Sequence, residues 1–98
     1  MRLNEDEKNL LLSERLKVPF KNYYHDKKAA IELLTAFMKL GFEISIYYQK
    51  KDNSFKAVSF NPDFDRYCPS ISGNTWVMSV VNCIYHRVTN GPHGNLFK

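Results

Sequence analysis

The stretch HDKKAAIELLTAFMKLGFEIS, residues 25–45, decides the fold. Ala30, Leu33, Leu34, Phe37 and Met38 recur at the spacing that stacks side chains on one helix face, and Ile31 broadens the stripe. Asp26 stands where an N-cap carboxylate accepts from orphan amides, and Lys39 falls in the last turn, where the helix dipole favours a cation. Gly41 occupies the position at which a left-handed residue closes a helix. Phe42, Ile44 and Ile46 then alternate with Glu43 and Ser45, the period of a strand. The stretch predicts a helix that turns sharply into a strand and lies against it.

Upstream, residues 5–16 read as a shorter helix. Asn4 with Glu7 three residues on makes a capping box, acids crowd the first turn, and Arg15 and Lys17 close the end. Leu10, Leu11, Leu12 and Leu16 give it an apolar patch, and Pro19 stops it. A helix this short is marginal alone and has to dock. The connector VPFKNYYH, residues 18–25, interleaves Phe20, Tyr23 and Tyr24 with Lys21 and Asn22. So many aromatics either plug the end of the core or form a recognition surface, because tyrosine supplies contact area at small entropic cost.

Downstream, residues 42–49 read as one strand and residues 55–61 as its return, joined by Lys50-Lys51-Asp52-Asn53-Ser54, a turn-rich run of hairpin length. Val58 and Phe60 share a face with Lys56, while Phe55 and Ala57 lie on the other. A two-stranded ribbon is barely stable, so a third strand is wanted, and residues 65–68 are the candidate before Pro69. The run PSISGN, residues 69–74, reads as a loop. Asn74 or Thr75 then caps a helix over residues 76–88, where Val77, Val80, Val81, Ile84 and Val88 keep helical spacing and Ser79, Asn82, His86 and Arg87 fall elsewhere. Gly91 and Pro92 end it, and residues 91–98 read as a short flexible tail. The fold class is therefore α+β: a small antiparallel sheet of two or three strands packed with two long amphipathic helices and a short N-terminal helix, in a single domain over residues 1–90. The first strand is apolar on one face and carries Tyr47 among polar residues on the other, which favours burial on one side. The helices either share that side or flank the sheet.

Composition bounds the function. A hydrophobic share of 44% and an aromatic share of 14% fit a packed globule, and no apolar run reaches the roughly 18 residues of a membrane span. Acids near the N-terminus stand where a secretion signal carries a basic head, so the expected location is cytoplasmic, with Cys68 and Cys83 as free thiols. The net charge is +4, yet no basic cluster exceeds two adjacent lysines, so the charge reads as a mixed solvated surface rather than a phosphate track.

Chemistry-bearing residues do not converge. His25 and Asp26 are adjacent, but the carboxylate already serves as cap. Cys83 and His86 share a helix face as two metal ligands would, and closing a zinc site would need loop residues such as Cys68 and His93. Cys83 also borders the apolar stripe, where a free thiol packs as a small hydrophobe. Ser70, Ser72 and Thr75 near Gly73 open a helix without a nucleophile elbow or a phosphate-loop lysine. Asp63 and Asp65 give too few oxygens for a hard-cation loop. The reading is no enzyme, no metal and no cofactor.

The layout YYHDKKAAIELLTAFMKLGFEISIYYQKKDNSFKAVSFNP, a loop, then NTWVMSVVNCIYHRV resembles the phage ABA sandwich domain family. Tyr24 before the alanine-rich helix, Ala29-Ala30, the pair Gly41-Phe42 and the helix from Trp76 carry the resemblance, which covers most of residues 5–88. Valines in the last helix depart from that pattern. The resemblance implies a phage or mobile-element accessory protein in a bacterial host cell, without catalytic residues to carry over, that binds and inhibits or redirects a host or defence-system protein. The residues expected to contact such a partner are Tyr23, Tyr24, Lys27, Lys28, Tyr47, Lys50, Lys51, Arg66 and Tyr67. Two alternatives use other chemistry: a nucleic-acid-binding module that stacks bases on Tyr23, Tyr24 and Tyr47 and meets phosphates with Lys27, Lys28, Lys50 and Lys51, or a nucleotide or small-molecule sponge with its pocket at a homodimer interface.

Overall fold

The computed structural model describes residues 3–61 and 70–89. The element order is α1 (Glu5–Leu16), α2 (Lys27–Met38), β1 (Glu43–Gln49), β2 (Ser54–Phe60), β3 (Ile71–Gly73) and α3 (Trp76–Thr89). The strands form one antiparallel sheet in the order β1-β2-β3.

Each helix starts where its cap residue stands. Asn4 accepts from the Glu7 amide while the Glu7 carboxylate accepts from the Asn4 amide, the reciprocal capping box read in the sequence. Asp26 accepts from the amides of Lys28 and Ala29, and Thr75 Oγ1 accepts from the amide of Met78. Lys17 closes α1 in the left-handed region, and Gly41, at φ +101°, reverses the chain after α2 into β1.

The register settles how the sheet is covered. Directly opposite residues share a face, so Tyr48 with Phe55, Ile46 with Ala57 and Ile71, and Ile44 with Ser59 form one side. Helix α3 lies on that side, over β2 and β3 more than over β1. Its small residues let it come close. A Cβ on Gly73 would lie 2.3 Å from the Ser79 amide nitrogen and 2.7 Å from its Cα, so only glycine permits this approach. Arg87 bolts the other end, its Nε donating to Ser59 Oγ and its terminal nitrogen to the Ser59 carbonyl, each at 3.0 Å, with the guanidinium over the Phe42 ring. Helices α1 and α2 pack against α3, so all three helices lie on one side of the sheet. Leu12, Leu33, Phe37, Val80, Val81, Ile84 and Val88 are the centre of the core, and Phe37 stacks on Phe42 at 4.4 Å between ring centres.

Three expectations are corrected. The segment read as a loop contains β3: Ile71 and Gly73 pair with Ala57 and Phe55. One apolar residue among turn formers gives no strand period, so the pairing comes from β2 and from α3 closing over it. Residues 65–68, the expected third strand, lie outside the described residues, as do Cys68, His93 and the tail. Ile31 and Met38 do not widen the buried stripe of α2 but face outward. Ser79, placed off the stripe of α3, is fully buried where the helix meets β3.

Candidate functional site

The sheet has one covered face and one open face. On the open side stand Glu43, Ser45 and Tyr47 of β1, Lys56, Val58 and Phe60 of β2, and Ser72 of β3, and no described element crosses them. Tyr47 is 46% exposed and Phe60 is 40% exposed. The two exposed rings stand at opposite ends of this face, Tyr47 across from Lys56 and Phe60 across from Glu43, with Ser45 and half-buried Val58 between them. Lys56 sits directly opposite Tyr47 and is held there by Asp52 at 3.2 Å and by Ser72 Oγ at 2.7 Å. The hairpin turn at the end of this face carries exposed Lys50 and Lys51, and Asn53 at φ +51° completes the reversal.

The residues expected to make contact separate into three groups. Tyr47, Lys50 and Lys51 are brought together at the hairpin end of the open face. Lys27 and Lys28 are exposed at the start of α2, and Lys27 lines a recess of about 280 Å³ with Thr75 and Val77 at the start of α3. Because Gly73 pairs with Phe55, that recess lies toward the hairpin end of the molecule but on its helix side. Tyr23 and Tyr24 are buried rather than on the surface, at 1% and 4% exposed, and Tyr24 borders the recess beside Lys27. The Tyr23 hydroxyl donates to the Pro19 carbonyl, and burial raises its pKa, with Glu32 adding to the rise and a backbone hydrogen bond opposing it. Burial, with Tyr85 and Glu5 nearby, raises that of Tyr24 further, and the Tyr24 hydroxyl has no hydrogen-bond partner. Of the connector aromatics only Phe20 faces solvent. Arg66 and Tyr67 lie outside the described residues.

The sequence reading missed Phe60 and Lys56 as members of the surface. Alternation had placed Lys56, Val58 and Phe60 on one face, but only the register shows that this face is the open one. Pairing Phe55 with Tyr48 and Ala57 with Ile46 puts the second strand's other set beneath α3.

The remaining chemistry-bearing residues are engaged structurally. His25 Nε2 lies 2.7 Å from Glu5 Oε1 and joins the start of α1 to the connector, while Asp26 is occupied as a cap. Cys83 is buried in the core, and among the described residues no three His, Cys, Asp or Glu side chains cluster to hold a metal ion. No described helix is long and apolar enough to cross a membrane. Comparison with protein-family models, with curated proteins and with solved structures finds no match.

Proposed function

We propose that this chain is a non-enzymatic binding protein that grips a protein partner with the open face of its sheet. In the setting that the family resemblance implies, the partner is a host or defence-system protein of a bacterial cell, which the chain inhibits or redirects. The observation that carries the reading is the pair of exposed rings, Tyr47 and Phe60, on a sheet face that no described element covers. Exposed aromatic side chains on a sheet face, Tyr47 near the hairpin and Phe60 at the opposite end, are of the residue class that anchors protein interfaces. Such a face would contribute area from the rings and steering from Lys50 and Lys51.

Protein is favoured over nucleic acid because few described cations stand on this face: Lys56 pairs with Asp52 at 3.2 Å, which leaves Lys50 and Lys51 at the hairpin, fewer than a phosphate-tracking surface uses. The test is capture from host lysate on immobilised protein, read by quantitative mass spectrometry against the variant Tyr47→Ala/Phe60→Ala. Recovery of a discrete protein that falls at least about tenfold with the variant supports the reading. A partner retained equally by both proteins, or nucleic acid as the recovered material, contradicts it.

A further inference from the structure

We propose that the outer edge of β1 seats a second copy of this chain, the two β1 strands pairing antiparallel about a two-fold axis at Ile46 to give a continuous six-stranded sheet. The inference stands apart from the identity of any other partner, although it enlarges the face proposed to bind one.

The two edges of the sheet are treated differently. β3 has three residues, and its Gly73 is pressed against the backbone of α3. β1 has seven residues and no described segment on its outer side. Natural edges are blunted by proline, bulges or charges within the strand. β1 has neither proline nor bulge, and its one charge, Glu43, stands at its first residue: its register with β2 runs unbroken from Glu43 to Gln49, and Ile44, Ser45, Ile46, Tyr47, Tyr48 and Gln49 are all uncharged. Whichever parity turns its amides and carbonyls outward, full overlap with a second copy forms roughly six to eight backbone hydrogen bonds.

The sequence of the strand is complementary to its own reverse. Centred pairing sets Ile46 opposite Ile46, and Ile44 opposite Tyr48, on the helix side. Ile46 and Tyr48 belong to the face that α3 covers, yet they remain 40% and 52% exposed because α3 sits over β2 and β3. Tyr48 already packs edge-on against Phe55 on its inner side, and the second copy adds apolar neighbours on the outer side. Branched and aromatic cross-strand pairs of this kind are the favourable ones. On the open side, Tyr47 faces Ser45 of the second copy, which places the two tyrosines as diagonal neighbours, so each copy completes the other's contact face.

Charge fixes the direction. β1 is entered at Glu43 and left through Lys50 and Lys51, so antiparallel pairing brings each Glu43 alongside the other copy's lysines, twice per dimer. Parallel pairing would set Glu43 against Glu43. An occupant with this pattern at this spacing is the chain itself.

Sedimentation equilibrium of the purified protein alone, from about 1 µM to 1 mM at low salt, tests the proposal, with circular dichroism confirming that each variant is folded. The expected result is a monomer–dimer equilibrium that Glu43→Lys weakens about tenfold, with Glu43→Lys/Lys50→Glu/Lys51→Glu restoring it to within about twofold. These positions are exposed, so the variants fold, and Ile46→Lys, which opposes two cations at the axis, is expected to abolish the dimer. A monomer throughout the range, a dimer indifferent to Glu43→Lys, or an exchange variant that fails to restore association would overturn it. Because no other protein is present, failure here leaves the lysate capture result untouched.

Discussion

Adjacent tyrosines do different work in this molecule. The Tyr23 hydroxyl is satisfied by Pro19, whereas that of Tyr24 is buried without a partner. Tyr23→Phe is therefore expected to cost about 1 kcal/mol, and Tyr24→Phe to raise stability by about 1 kcal/mol, because it removes an uncompensated desolvation. Urea midpoints of the two variants check this. The same burial predicts the alkaline behaviour. A tyrosine whose folded pKa lies above the ordinary value of 10.0 keeps its proton while the unfolded chain loses it. Stability from these groups is thus fully present below pH 10 and falls as pH rises above it, by at most about 1.4 kcal/mol per pH unit per group. The fall should be shallower in Tyr24→Phe, as read by unfolding titrations on either side of pH 10. The sequence showed that the connector holds more aromatic surface than water tolerates. It could not say which rings turn inward, because that depends on where α1 and α3 close over them.

The elements divide by how local their causes are. Asn4 and Glu7, Asp26, Thr75 and Gly41 are signals written within a few residues of the boundary they set, and α1, α2 and α3 were legible from them. Asn4→Ala is expected to cost about 1 kcal/mol by removing the capping box. β3 was not legible. Its three residues are a strand because β2 offers them a free ladder and α3 needs a backbone to pack on. Gly73 records that need, and a side chain there would meet the Ser79 backbone, which cannot yield as a flexible side chain would. Gly73→Ala should accordingly lose about 3 kcal/mol, and Ser79→Ala in the same chain should not rescue it, as thermal unfolding of the single and double variants would show.

At the scale of the whole molecule, one-sided burial is the consequence that bears on function. Three helices on one face leave the other face uncovered by any described element, and β1 becomes an edge among the described strands. The apolar alternation of Phe42, Ile44 and Ile46 announced that burial would be unequal. Which set of β2 residues joins the buried side required the register, and so the open face was only half visible in the sequence, through Tyr47, Lys50 and Lys51. Phosphate-tracking proteins lose binding steeply with salt. This surface, with Lys56 paired to Asp52 and two further lysines at the hairpin, is expected to give weak duplex or single-strand binding without a steep decline between about 50 and 200 mM salt in a shift assay.

The most direct test of the open face is hydroxyl-radical footprinting of the protein, free and with its captured partner. The account expects Tyr47 and Phe60 to be labelled in the free protein and protected in the complex, with Tyr23 and Tyr24 unlabelled in both. Labelling of Tyr47 and Phe60 that is unchanged by the partner, while residues on the helix side become protected, would contradict it.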